Sequence, residues 1–291
     1  MNNLIKNTPP IIISGMHRSG TSLLSRIIEK TGVFLGKYKQ RNNESLYFLQ
    51  LNRYIMSLND GSSWDNPKKI SKKDNFLINE ISLKIQPLLN NRKNYLYYGK
   101  KALICRKSFF NCQLSWGWKD PRNIFTIPVW KNIFPNSKIL IIKRHPIDVY
   151  QSLAKRSSRK NMSFLMKIYY FNIFKLVLTG FKSLKKNKSK NLNLIDVCKL
   201  YYEMISELEN NYPKDIYVVK YEDLLINTKE TCIQLFKFLN TDIHNKDTDF
   251  IKQNIYPMID KSRAYAYRES LKIKVDKEIH SLIDVSKYEI D

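Results

Sequence analysis

PPIIISGMHRSGTSLLSRIIEKTG, residues 9–32, is the stretch on which the fold turns. Pro9 to Ser14 is a short continuous apolar run, as expected of a strand buried on both faces. Gly15 to Gly20 is a turn. From Thr21 the pattern becomes helical: Leu23, Leu24, Ile27 and Ile28 share one face, and the periodicity stops at Gly32. The order is therefore strand, glycine loop, helix.

The same alternation continues along the chain. KILIIK, residues 138–143, is a second apolar run after the turn signal Phe134-Pro135-Asn136-Ser137. Arg144-His145-Pro146 ends it, and IDVYQSLAKR continues as a helix. IYVV, residues 216–219, is another strand, followed by KYEDLL and a helix in ETCIQLFKFLN. Residues 36–66 read as loop and helix, and residues 70–98 as a helical segment. LSWGW leads as a strand into Lys119-Asp120-Pro121-Arg122. Strands alternating with helices imply an α/β fold with a central parallel sheet covered on both faces. No internal repeat or linker interrupts it, so a single domain over 1–291 is expected.

Composition fits that reading. The chain has 291 residues, 43% hydrophobic and 26% charged, which excludes a wholly disordered protein. Eight glycines and ten prolines exclude collagen-like and low-complexity chains. Cys105, Cys112, Cys198 and Cys232 have no metal-site spacing and read as reduced thiols in a reducing compartment. MNNLIKNTPP contains no apolar run, so neither a signal peptide nor an anchor is expected there, and the expected location is cytoplasmic. The formal net charge of +24 leaves three readings open: compositional drift, an anionic ligand, or a membrane or nucleic-acid surface.

GMHRSGTS has the G-x4-G spacing of a phosphate-binding loop, in which glycines permit the turn and a helix amino terminus adds partial positive charge. Thr21 occupies the slot where a nucleoside triphosphatase carries lysine, and the cation sits earlier, at Arg18. The loop thus suits a phosphate-like group other than the usual triphosphate. A second anion site follows KILIIK. Arg144 stands at the strand's carboxyl end, where α/β sheets place ligands. Ser152 and Arg156 lie one turn apart on the next helix, so two arginines and a hydroxyl can converge on a dianion.

Together the two sites resemble the sulfotransferases that use 3′-phosphoadenosine 5′-phosphosulfate (PAPS). The family's 5′-phosphosulfate loop reads like G-x-x-[KR]-S-G-T-[ST], matched here by Gly15, Met16, His17, Arg18, Ser19, Gly20, Thr21 and Ser22. Its 3′-phosphate is held by an arginine at the end of a later strand and a serine eight residues on, the spacing of Arg144 and Ser152. Trp118-Lys119-Asp120-Pro121-Arg122 looks like the K-D-P element of the tyrosylprotein branch and its bacterial relatives, in which the lysine lies near the transferring group. Glu44 falls where those relatives carry their proposed base, and Arg156 matches one of their 3′-phosphate contacts. KYEDLL resembles the family's [RK]-Y-E-D-L-L segment, which makes Tyr221 a candidate beside the adenine or a core residue behind the strand. The carboxyl-terminal R-K-G-x-x-G-D-W segment of cytosolic small-molecule enzymes is absent. Lys261 and Arg263 in IDKSRAY stand in that region without an alignable motif.

The resemblance implies a three-layer fold like that of the P-loop NTPases, with helical insertions. It implies sulfuryl transfer from PAPS, leaving adenosine 3′,5′-bisphosphate (PAP), with no metal. The acceptor is a hydroxyl, on a carbohydrate first and a protein tyrosine second. Arg18, Glu44 and Lys119 are the expected catalytic set. Gly15, His17, Arg18, Ser19, Gly20, Thr21, Ser22, Arg144, Ser152, Arg156 and Tyr221 are the expected cofactor contacts. His17 and His145 sit inside motifs, with a ligand-side or packing role. MSFLMKIYYFNIFKLVLTGF, residues 162–181, lies in an apparent apolar and basic insertion at about 157–190. As a helix it suits a lid, a dimer contact or peripheral binding at the inner face of a membrane. No nucleic-acid partner is expected. Two rivals stand: a P-loop small-molecule kinase, and a non-catalytic protein that binds polyanions or membranes.

Overall fold

The computed structural model describes residues 8–61, 67–91, 94–100, 108–157, 192–240, 248–270, 277–286 and 288. The proposed insertion helix, residues 162–181, lies outside them. No helix among the described residues is long and apolar enough to cross a membrane.

The strands are β1 (Ile11–Gly15), β2 (Gly117–Lys119), β3 (Lys138–Lys143) and β4 (Ile216–Lys220), in a parallel sheet of order β2-β1-β3-β4. β3 matches KILIIK residue for residue, and its four inner residues are buried. An unbroken apolar run suits a central strand with no solvent-facing side. β3 pairs with β4 from Ile139↔Ile216 to Lys143↔Lys220.

The described residues form two compact units whose division falls within β1, after Ile12. The first holds residues 8–12 and 33–137. Its helices are α2 (Leu46–Leu58), α3 (Asn75–Leu89), the single turn α4 (Tyr95–Tyr98) and α5 (Asn123–Ile133). The helical segment expected over 70–98 is thus two helices. Asp74 caps α3 by accepting from the Leu77 N–H at 3.1 Å, and α3 ends at Leu89 before Asn90 and Asn91. β2 lies so close to β1 that a Cβ on Gly117 would stand 1.9 Å from the Ile11 carbonyl oxygen. Only glycine fits there.

The core of this unit is aromatic. Phe48 stacks on Trp118 with centroids 3.9 Å apart, and Trp130 meets Trp118 edge-on at 4.9 Å. Such pairs contribute about 0.5–1.5 kcal/mol each beyond burial. Asn52 sits at the centre. Its Nδ2 donates to Asp120 Oδ2 (3.0 Å) and Asn123 Oδ1 (2.8 Å). Its Oδ1 accepts from Thr126 Oγ1 and Trp130 Nε1, both at 2.8 Å. All four bonding capacities of the amide are used, as a fully buried polar side chain requires.

The second unit holds residues 13–32, 138–157 and the described residues from 192 onward. It contains α1 (Thr21–Lys30), α6 (Pro146–Ser157), α7 (Leu194–Asn211), α8 (Tyr221–Ile226), α9 (Thr228–Leu239), α10 (Thr248–Asn254) and α11 (Lys277–Ser286). α1 buries Leu23, Leu24, Ile27 and Ile28, the face its periodicity requires. Asn193 caps α7 by accepting from the Asp196 N–H at 2.8 Å. α11 packs on α6 and α7.

Candidate functional site

The two sets of candidate residues lie in different units. In the second unit the glycine loop joins β1 to α1. Gly15 has φ 138°, and a Cβ there would meet the Ile142 carbonyl oxygen at 2.4 Å. Gly20, at φ 101°, is the residue before α1, and a Cβ would run into the Tyr221 ring at 2.4 Å. Between them Arg18 takes φ 72°, the left-handed region that side chains avoid. Ser19 locks the turn, its Oγ donating to the Met16 carbonyl at 2.6 Å. Thr21 and Ser22 open α1, whose first N–H groups have no acceptor within the helix. Ser19 and Thr21 are buried, His17 is half-buried and Arg18 is exposed.

The family resemblance assigns Arg18 to one phosphate site and Arg144 with Ser152 to another, and the structure brings the three residues close together in this unit. Arg18 Nε donates to Ser152 Oγ at 2.8 Å. Arg144 Nη1 lies 3.4 Å from the Arg18 carbonyl oxygen. The Arg144 guanidinium stacks over the Tyr221 ring, 4.6 Å from its centroid. Its Nη2 donates to the Arg263 carbonyl at 3.0 Å and stands 3.4 Å from Asp148 Oδ2. Its Nε is buried with no hydrogen-bond partner. Arg156 belongs to α6, but its side chain lies outside the described set.

The carboxyl-terminal region supplies more than its weak motif suggested. The Arg263 guanidinium acts on the Tyr221 hydroxyl, favouring its charged form. Leu23, Arg26, Tyr221, Leu225, Met258, Asp260 and Arg263 line a cavity of about 200 Å³. Burial pushes the Tyr221 phenol up from its ordinary value, against the pull of Arg144 and Arg263. His145 packs: its ring stacks on Tyr267 with centroids 4.2 Å apart.

In the first unit Lys119, at the end of β2, reaches the loop before α2. Its Nζ donates to Glu44 Oε1 at 2.7 Å and to the Asn42 carbonyl at 2.9 Å. The two side chains are 1% and 4% exposed, so this is a fully buried ion pair. Burial pulls the Lys119 ammonium below its ordinary value, while Glu44 opposes that shift. Glu44 Oε2 is also buried and has no hydrogen-bond partner. One carboxylate oxygen thus holds the lysine and the other keeps its accepting capacity. Asp120 holds the turn before α5, accepting from the Arg122 N–H (3.0 Å) and Arg122 Nη1 (2.9 Å). Arg53 is pulled down to about 10 by burial and by Arg122.

Sequence reasoning missed Asn52, which fixes Asp120, as well as Tyr202 and Tyr288. Tyr202 Oη donates to the Arg144 carbonyl at 2.6 Å, and Tyr288 Oη bonds Glu222 Oε2 at 2.9 Å. Neither tyrosine sits in a motif. Glu222 does, within KYEDLL, though nothing in that motif tells which backbone group it binds.

Sulfotransferases are among the solved structures similar to this chain. The sulfotransferase domain of the Synechococcus PCC 7002 olefin synthase superposes with a TM-score of 0.52 at 14% identity, covering 98% of this chain and 97% of that one. The sulfotransferase domain from the curacin biosynthetic pathway gives 0.48 at 16% identity, covering 98% and 100%. A sulfotransferase from Alicyclobacillus acidocaldarius gives 0.42 at 14% identity, covering 90% and 96%. No curated protein sequence matches the chain. A sulfotransferase family model aligns with residues 9–245, a span that takes in both the glycine loop and the Arg144–Ser152 pair, and the chain belongs to the sulfotransferase family.

Proposed function

We propose that the protein transfers a sulfuryl group from PAPS to an acceptor hydroxyl, on a carbohydrate or glycoconjugate. The observation that carries this reading is the meeting of Arg18, Arg144 and Ser152 within one unit. Two cations and a hydroxyl brought together from a loop, a strand end and a helix suit a nucleotide charged at both its 3′ and 5′ ends. The buried, unpartnered Nε of Arg144 supports the fit, because such a donor is costly unless an acceptor arrives.

PAPS supplies an activated sulfuryl group attached to a phosphate leaving group. Arg18 and the first N–H groups of α1 bind the 5′ end and offset the charge that develops there. Arg144 and Ser152 bind the 3′-phosphate, with Arg156 as a further cation on the same helix. Tyr221 and the adjoining cavity receive the base. Lys119 serves the sulfuryl oxygens as a cation. Glu44 accepts the acceptor hydroxyl's proton at Oε2 while Oε1 stays on Lys119. Cys112, Cys198 and Cys232 are free and buried, which agrees with a reducing, cytoplasmic setting.

Thermal shift with PAP against ATP plus Mg²⁺ separates this reading from a kinase. Ligand at about 100 times its dissociation constant stabilises the native state by roughly 2.7 kcal/mol. A shift with ATP and none with PAP would establish the kinase instead. Transfer of labelled sulfate onto a panel of glycans and tyrosine peptides then identifies the acceptor, and a signal on peptides alone removes the carbohydrate assignment.

A further inference from the structure

Lys143 is the last residue of β3 paired with β4, and its partner is Lys220. Beyond it the chain leaves the ladder yet stays inside the unit, with His145 1% exposed. Buried backbone groups there need partners that the sheet no longer provides. Three side chains provide them at three consecutive residues. Tyr288 Oη lies 3.1 Å from the Lys143 carbonyl oxygen. Tyr202 Oη donates to the Arg144 carbonyl at 2.6 Å. Glu222 Oε1 accepts from the His145 N–H at 2.9 Å. Tyr288 Oη is also 2.9 Å from Glu222 Oε2, so its proton is shared between that carboxylate and the backbone.

The choice of Glu222 is informative. It is 1% exposed and forms no ion pair with a described residue, and an unpaired buried carboxylate is an expensive way to hold one backbone N–H and one tyrosine hydroxyl. It is favoured in the first turn of α8, and its charge acts on Arg144 at longer range. The residue gripped from both sides is the one whose guanidinium lies over Tyr221.

We propose that Tyr288, Glu222 and Tyr202 are positioning residues for Arg144, fixing the strand exit from which its side chain reaches the 3′-phosphate of the nucleotide. This rests on the PAPS reading. None of the three touches the nucleotide; each acts through the backbone at 143–145.

The test compares dissociation constants for PAP and adenosine 5′-monophosphate, which differ by the 3′-phosphate alone. Calorimetry is run on the full chain and on the Tyr288→Phe and Tyr202→Phe variants. The expected result is PAP binding weakened about tenfold in each variant, a loss of ~1.4 kcal/mol, with monophosphate binding unchanged. Equal weakening of both ligands, or of neither, overturns the proposal, because a purely structural role does not single out the 3′-phosphate. If Tyr288→Phe does not fold, Tyr202→Phe decides alone. A wild-type chain that binds PAP no better than the monophosphate overturns the PAPS reading itself. That outcome is distinct from a wild-type preference for PAP that survives in the variants.

Discussion

Arg18 Nε and Ser152 Oγ are 2.8 Å apart although 134 positions separate them in the chain. Each belongs to a different phosphate site in the proposed complex. Arg18 also holds φ 72°, a conformation that costs a side-chain-bearing residue about 1 kcal/mol or more.

Strain and binding at Arg18 should therefore separate. Arg18→Gly and Arg18→Ala are both expected to lose PAP affinity by tenfold or more. In urea denaturation the glycine variant should be the more stable of the two by about 1 kcal/mol, since only glycine adopts positive φ without penalty. Equal stability would mean that the loop relaxes when the side chain is removed.

Arg144→Ala should weaken PAP binding roughly ten- to a hundredfold, the worth of a hydrogen bond to a charged group, and leave adenosine 5′-phosphosulfate binding nearly unchanged. Competition binding with the two nucleotides reads this directly. Equal losses would reassign Arg144 to cross-linking the Arg18 and Arg263 backbones, which it also bonds.

The Lys119–Glu44 pair allows a cycle. Lys119→Met or Glu44→Gln alone strands the other buried partner and should cost about 3–5 kcal/mol. The double variant should recover most of that stability while remaining unable to transfer sulfate. Stability is read by denaturation and transfer by labelled product. Transfer by the double variant at the wild-type rate would make the pair structural.

Burial raises the Asp148 carboxyl above its ordinary 3.8, against the pull of Arg144 and of the Ala266 and Tyr267 N–H groups. A raised acid binds its proton more tightly when folded, so its contribution is full below pH 3.8 and is lost as pH climbs through the native value. Relative to Asp148→Asn, the wild-type chain should thus lose stability as pH rises from 3.8. Denaturation midpoints at several pH values for both chains test it, and parallel curves would refute it.

Much of the fold was legible because it is written locally. KILIIK is β3 residue for residue, and the glycine loop and α1 fall where Gly15, Gly20 and the Leu23–Ile28 face put them. The Arg144–Ser152 spacing was legible for the same reason, since a strand end and the next helix are neighbours in sequence. Tyr202 and Tyr288 were not, because their role exists only once helices remote in sequence pack around β3's exit. Burial was equally hidden: nothing in RNNESLYF says that Glu44 meets Lys119 out of contact with water. Arg263 was visible only as a cation without a motif, and it enters the site through its carbonyl as much as its charge.

Trp116, Trp118 and Trp130 crowd the core of the first unit, and residues 13–32, 138–160 and 191–291 contain no tryptophan. Indole emission therefore watches one unit and is blind to the chain that carries Arg18, Arg144 and Ser152. A melt followed by fluorescence and by far-ultraviolet dichroism will coincide only if both units come apart together, and a gap between the two traces gives the order in which they are lost.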